Sequence, residues 1–302
     1  MSEPTLPPLP YQAWEPTKTT LHLWSQILGK LRLRYTAHRN HWWNATLHLT
    51  PRGFSTLRMR DGATLFSVEL DLLEPAAILR SNRGPDASFP LADGVSVAAF
   101  YRRILELLQG ISVDAHILPK PYGIPITTPF PQDEEHRSFD AEMARRWFEI
   151  TAWSADVMEA FAAGFAGKQS PAHLFWHSFD LAMSRFNGRR APDHAAANLV
   201  EREAYSHEVI SFGFWAGDAN VPAPTYYTYT APEPALLTQE PLSLPDARWV
   251  ASGAGHLGTL PYETVRTSPD PRAALLAFLR SGYEAGTRTA GWETAPFEGI
   301  VR

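Results

Sequence analysis

The sequence predicts an α+β protein of two related lobes, each an antiparallel β-meander with flanking helices. Three observations predict it. Apolar residues alternate with a period of two over 43–80 and again over 172–230, between turn-forming residues. Helical spacing of apolar residues flanks both stretches. A run holding Pro119, Pro121, Pro125, Pro129 and Pro131 divides the chain.

With 302 residues, 44 % hydrophobic and 20 % charged, the chain can bury a substantial core. Its 26 prolines and 19 glycines stay below the range that marks disordered or collagen-like sequences. In order, residues 1–17 carry Pro4, Pro7, Pro8, Pro10 and Pro16 and read as an extended tail. Pro7-Pro8-Leu9-Pro10 fits the short and common PxxP pattern of SH3 ligands. Leu21, Trp24, Ile27, Leu28 and Leu31 predict a helix over 20–33, with Thr19 or Thr20 as cap. From Trp43 the period becomes two. Pro51-Arg52-Gly53 and Asp61-Gly62 turn the chain, and 64–73 and 76–80 extend the meander. Val97, Phe100, Tyr101, Ile104, Leu107 and Leu108 line one face of a helix ending near Gly110, and 111–118 reads as another strand.

The lobes divide as 18–118 and 138–302, joined by a Pro-rich linker over 119–137. In the second lobe Ser138 or Asp140 caps a helix running to about Gly164. Strands follow over 172–186, 206–215 and 225–230, and a terminal helix over 272–283. Each half contains a helix, a Gly-Lys pair (Gly29-Lys30, Gly167-Lys168), an aromatic pair (Trp42-Trp43, Phe175-Trp176), a meander and a closing helix, the order expected of an internal duplication.

Charge and composition exclude several classes. Lysine and arginine number 27 against 32 acidic residues, a formal charge of −5 with no long basic run, so counterion release has little to drive and nucleic acid is not the expected partner. The chain has no cysteine, which removes disulfides, thiolate nucleophiles and Cys-held metals or clusters. The N-terminus shows no cationic start or apolar stretch, and the longest apolar run, Ala273 to Leu279, is too short to span a bilayer, so a cytoplasmic, membrane-free protein is expected. Gly253-Ala254-Gly255-His256-Leu257-Gly258 matches GxGxxG, but Pro261 and the few residues that remain leave no room for a dinucleotide fold, and it reads as a loop. No GxxxxGK[ST], GxSxG or HExxH occurs, so neither a Rossmann nor a P-loop nucleotide site is expected.

Ionisable and aromatic residues are densest between 173 and 229, where His194 also lies. On a helix His173 and His177 would sit one turn apart and share a metal; on a strand they would lie about 13 Å apart. Phe175, Phe179 and Phe186 with polar residues between them favour the strand. Facing side chains of adjacent strands are about 5 Å apart, so Asp180 with Glu208, or His177 with His207, become candidate neighbours. The expected site is an aromatic pocket for a small, partly apolar molecule, walled by Trp176, Trp215, Tyr227 and Tyr229. Asp180, Arg185, His207 and Glu208 are its polar groups: His207 or Glu208 as general base, Arg185 as anion holder. The alternative is a metal-dependent enzyme with His173, His177 and His207 as ligands beside a carboxylate. A third reading takes Asp and Glu into ion pairs with Arg185 or Arg189 and the aromatics into core or interface. Asp133-Glu134-Glu135-His136 reads as a solvated loop.

Phe175-Trp176-His177-Ser178-Phe179-Asp180-Leu181-Ala182, Arg185-Phe186-Asn187-Gly188-Arg189, Ala204-Tyr205-Ser206-His207-Glu208 and Phe214-Trp215-Ala216-Gly217-Asp218 resemble blocks of a bacterial family known only as a domain of unknown function. Gly29-Lys30, His41-Trp42-Trp43 and Tyr229-Thr230-Ala231-Pro232-Glu233-Pro234 fit it as well. The resemblance covers nearly the whole chain and implies no particular activity.

Overall fold

The computed structural model describes residues 5–192, 198–253 and 255–299, so Pro4, His194 and Ala254 of the GxGxxG match lie outside the described residues. A long helix, α1 (Tyr11–Tyr35), runs through the centre. It leads into the strands β1 (His48–Thr50), β2 (Gly53–Ser55), β3 (Met59–Asp61), β4 (Thr64–Asp71), β5 (Ala76–Ser81) and β6 (Ala87–Pro90), and then α2 (Val97–Gly110). These strands form an antiparallel sheet ordered β1-β2-β4-β5-β6, with β3 also on β4. The second half opens with α3 (Ala141–Ala162), followed by β7 (Lys168–Gln169), β8 (His173–Phe175), β9 (Asp180–Arg190), α4 (Leu199–Ala204), β10 (His207–Trp215), β11 (Thr225–Ala231), β12 (Arg248–Ser252), β13 (Gly255–Pro261), α5 (Tyr262–Arg266) and α6 (Pro271–Thr289). Its sheet is ordered β12-β13-β11-β10-β9-β7, with β8 also on β9. The fold is α+β, with two antiparallel sheets.

Caps and turns follow local chemistry. Asp140 accepts from the amides of Glu142 and Met143 at the start of α3, and Ser96 from that of Ala99 at the start of α2. Gly62 takes φ +53° in the turn between β3 and β4, where Asp61-Gly62 predicts one. Elsewhere the structure differs from expectation. The segment expected as a tail over 1–17 is helical from Tyr11, because Pro10 sits outside the helix as its N-cap and Pro16 falls in an early turn, where a proline removes only one amide bond. Thr19 and Thr20 are therefore interior rather than caps; the Thr20 hydroxyl donates back to the Pro16 carbonyl at 3.2 Å. Residues 111–118 form no strand. Asp133 is buried, not solvated, with the backbone amide and the ring Nδ1 of His136 directed at its carboxylate. The GxGxxG match lies at the β12–β13 hairpin, with Gly253 at φ +58°.

The halves share a strand order, since β2 and β3 both pair with β4 as β7 and β8 both pair with β9. The residue landmarks do not correspond: Gly29-Lys30 is inside α1, whereas Gly167-Lys168 opens β7. The facing also differs. Thr56 and Ser170 hold equivalent places, each donating its amide to the long strand and accepting through its hydroxyl from the same residue, Val68 or Ser184. Yet Val68 points into the core, while Ser184 lies opposite the face that meets α3 and α6.

One hydrophobic core spans both halves. Trp147 of α3 is its hub: Trp14 of α1 stacks at 5.7 Å, Phe54 of β2 at 5.0 Å and Phe179, from the turn between β8 and β9, at 4.6 Å. The sheets meet where Leu47 and Leu174 exchange both backbone hydrogen bonds at 2.9 Å. At Gly29 α1 packs directly on the second half, and a Cβ there would stand 2.1 Å from the Trp176 indole. Among the described residues no helix is long and apolar enough to cross a membrane.

Gly29→Ala is therefore expected to lower stability by about 1–3 kcal/mol in urea unfolding despite alanine's helix propensity. Gly110→Ala, in open space at the end of α2, leaves stability unchanged or raises it slightly. Equal behaviour of the two variants would contradict the close packing of α1 on Trp176.

Candidate functional site

Register builds the site. Paired residues on neighbouring antiparallel strands point to the same face. Across β7, β9, β10 and β11, one row on the outer face of the second sheet is Lys168, Phe186, Val209 and Ala231. The next holds Ser184, Ser211 and Tyr229; the third His173, Ala182, Gly213, Tyr227 and Thr259; the fourth Phe175, Asp180, Trp215 and Thr225. The floor along β9 and β10 is made of small residues, and aromatic rings stand over it.

Tyr227 dominates this face. Its ring reaches from β11 across β10, and its hydroxyl donates to Oδ2 of Asp180 on β9. Gly213 lies beneath the ring: a Cβ would meet the Tyr227 hydroxyl at 2.3 Å, so only glycine lets the phenol cross. The Ser178 hydroxyl donates to the other carboxylate oxygen. Tyr229 lies parallel to Tyr227 with ring centres 6.1 Å apart, and its hydroxyl is 3.2 Å from that of Tyr205, just after α4. The Ser184 and Ser211 hydroxyls are 2.9 Å apart in the floor. Burial, reinforced by the Asp180 charge, pushes the Tyr227 phenol well above its usual range. Burial, then Tyr205, does the same to Tyr229. Both remain hydrogen-bond donors at neutral pH, and Tyr227, Tyr229, Trp215 and Ser184 are partly exposed.

Four expected residues, Asp180, Trp215, Tyr227 and Tyr229, thus share one face. The others do not join them. Arg185 faces the helices, its Cζ 3.7 Å from the Phe161 ring centre and within 5 Å of Phe165 and Tyr283, with Nη2 donating to the Phe161 carbonyl at 2.6 Å. Burial lowers its pKa to about 10. Its cage is intramolecular, so it is no anion holder for the outer face. Glu208 is on the same inner face, where its Oε2 accepts from Asn187, Arg189 and Trp292 at 2.7–3.0 Å, so it is not a polar group of the outer face. Trp176 belongs to the turn after β8 and packs under α1, 5.6 Å from the Lys30 ammonium. That turn, with Phe179 at φ +58°, breaks the expected strand over 172–186 and reverses the chain. Asp180 and Glu208 are therefore on opposite faces, and His177 is not beside His207.

The histidines are likewise separated by their surroundings. His173 is buried against Trp43, His48 and Phe175, with Nδ1 3.2 Å from the Thr46 hydroxyl. His177 offers its carbonyl to His22 Nε2 at 3.2 Å while its ring lies by Tyr122. His207 stands at the far end of the outer face, edge-on to His41. Among the described residues no three His, Asp or Glu side chains converge on a metal position, so the proposed trio of ligands is not assembled. Lys168, His41 and Tyr205 are the residues that sequence reasoning did not place in the site. Gly167-Lys168, His41-Trp42-Trp43 and the Tyr205 block are visible in the sequence, but nothing local says that residues 127 positions apart meet, as Lys168 and His41 do.

A family model matches residues 6–299. The chain belongs to DUF5996, a family of unknown function. No curated protein and no solved structure matches it. In this DUF5996 chain Asp180, Tyr205, Trp215 and Tyr229 come from four separate chain segments, and the fold brings them together at one sheet face.

Two buried histidines also contribute to the acid sensitivity of this DUF5996 protein. Burial lowers His22 and His173 to about 3, with Lys18 adding to the first and His48 and Arg32 to the second. The unfolded chain protonates near 6.5 and the folded one near 3, so the stabilisation is complete above pH 6.5 and is lost as pH falls from there toward 3. Each histidine is expected to cost about 1.4 kcal/mol per pH unit in that window. Urea unfolding at pH 7 and pH 5 checks this; a flat profile, or one unchanged by His173→Gln, contradicts it.

Proposed function

We propose that the outer face of the second sheet binds a small, partly apolar molecule. The observation that carries this is the Tyr227 phenol laid across Gly213 onto Asp180, beside the parallel Tyr229 and the partly exposed Trp215. Two phenols, a tryptophan edge and a floor of Ala182, Ser184 and Ser211 offer ring contacts and hydroxyl groups along one plane. Asp180 is the polar anchor, and Tyr227 fixes the orientation of its carboxylate. Because the phenols stay protonated, the face suits recognition by hydrogen bonding rather than proton abstraction. A bacterial cytoplasm is the setting of this reading, in line with the family resemblance and the cysteine-free composition.

Native mass spectrometry of the protein isolated from its own host tests the reading. A small molecule is expected to co-purify, and Tyr227→Phe, which keeps the ring but removes the donor to Asp180, is expected to weaken its retention about 10- to 100-fold. Glu208→Gln, on the opposite face, leaves retention unchanged. A ligand held equally by Tyr227→Phe, or lost on Glu208→Gln in a folded protein, would move the site elsewhere.

A further inference from the structure

Resting on that reading of the outer face, we propose that the bound molecule carries an oxyanion, a carboxylate or a phosphate, seated by Lys168, His207 and Arg190 at the end of the face, with its apolar body along Tyr229 and Tyr227. Lys168 stands one row beyond Ser184, Ser211 and Tyr229, about 7 Å along the strands. Its ammonium is held rather than free. Nζ is 2.6 Å from Nε2 of His41, whose Nδ1 lies 3.0 Å from the Ala204 carbonyl. A proton on Nδ1 serves that carbonyl, so Nε2 is the acceptor for the ammonium. The rings of Phe186 and Trp43 flank Nζ at 4.8 and 5.6 Å.

Among the described residues, no carboxylate balances the charges around it. His207 pairs in register with Arg190, and its ring meets His41 at 5.8 Å. Among the described residues neither Lys168 nor Arg190 has a carboxylate partner, whereas Arg189 is taken by Glu208 and the nearby Glu203 by His38. Burial, and then Lys168 and Arg190, hold His207 below its usual range, as expected where cations gather without an anion. An oxyanion would relieve this repulsion and find an ammonium, a guanidinium and an imidazole as donors. The cations lie at one end and the phenols along the remainder, so an aryl or similarly flat body with one terminal acid fits both.

Calorimetric titration of the full chain with phenyl phosphate, benzoate and benzyl alcohol tests the proposal. At least one anionic probe is expected to bind ten-fold or more tighter than the neutral alcohol, and to bind more tightly at pH 5.5 than at pH 7.5. Lys168→Met and, separately, Arg190→Gln should each reduce that preference several-fold, with thermal melts confirming that both remain folded. Which acid binds better separates carboxylate from phosphate. Equal binding of alcohol and acids, or anion binding untouched by Lys168→Met and Arg190→Gln, would overturn the oxyanion while leaving the aromatic face intact. Failure of all three probes, or binding that Tyr227→Phe does not alter, would remove the face itself and the inference with it.

Discussion

The fold depends on burying one helix on every side. From Thr20 to Arg32 every residue of α1 is buried, polar ones included. A helix enclosed in this way cannot leave its polar side chains to water, so most of them find a partner within the protein, although Nε1 of Trp24 and Nε of Arg32 do not. His22 reaches the His177 carbonyl, Gln26 exchanges two hydrogen bonds with the backbone of Tyr122, and Arg32 donates to the Thr56 carbonyl. Lys30 lies between the rings of Trp176 and Phe130. These partners come from the Pro-rich segment, from the turn before β9 and from the loop after β2, so the polar side chains of α1 fix three remote pieces of chain relative to one another. That is why 118–133 is ordered against α1 rather than strung loosely between the halves.

A central helix also settles which faces of the sheets remain available. The inner faces turn toward α1, α2, α3 and α6, where Phe100, Trp147 and Phe278 fill the interior. The Leu47–Leu174 bridge makes the two sheets neighbours along one edge. One end of the outer face of the second sheet is covered by residues 41–43 and Tyr205. His41 and Trp42 both take positive φ there, a conformation that costs side-chain-bearing residues about 1 kcal/mol or more each. The cost is offset where the His41 ring stacks on Phe186 at 4.3 Å and both its nitrogens find partners.

Legibility in the sequence followed the range of the interactions. Alternation is a local property of a half-buried strand, and it alone puts Tyr227 and Tyr229 on one side and sets His207, Val209 and Ser211 opposite Glu208 and Ile210. Capping by Asp140 is equally local. The reading failed where one residue reverses a pattern. Four residues, Trp176 to Phe179, turn the chain between β8 and β9, so counting faces from His173 through Arg185 assigns Asp180 to the wrong side of His173 and Phe175. Pro16 misled for the opposite reason: a helix whose stability comes from enclosure tolerates the loss of one early hydrogen bond. Partner choice was not legible at all. Whether Glu208 faces a ligand or Trp292 depends on the chain after α6, a helix that begins 64 residues after β10 does.

The geometry around Gly213 shows why the carboxylate and the phenol have to be considered together. In an ordinary antiparallel sheet a tyrosine stands up from its own strand and meets the nearest neighbours on either side. Reaching a residue two strands away requires the ring to lie down, which in turn requires that the intervening residue have no side chain. Asp180 is at the first position of β9, paired with Trp215 in the row next to Gly213, so the flattened phenol arrives at the carboxylate from the interior of the face rather than from its rim. The result is a carboxylate with its orientation set by a donor on each side, at the boundary between the buried turn of Phe179 and the partly exposed rings. An isolated Asp in that position would be screened by solvent and free to rotate; held in this way, its remaining lone pairs point in a fixed direction, which is the property that a recognition surface needs.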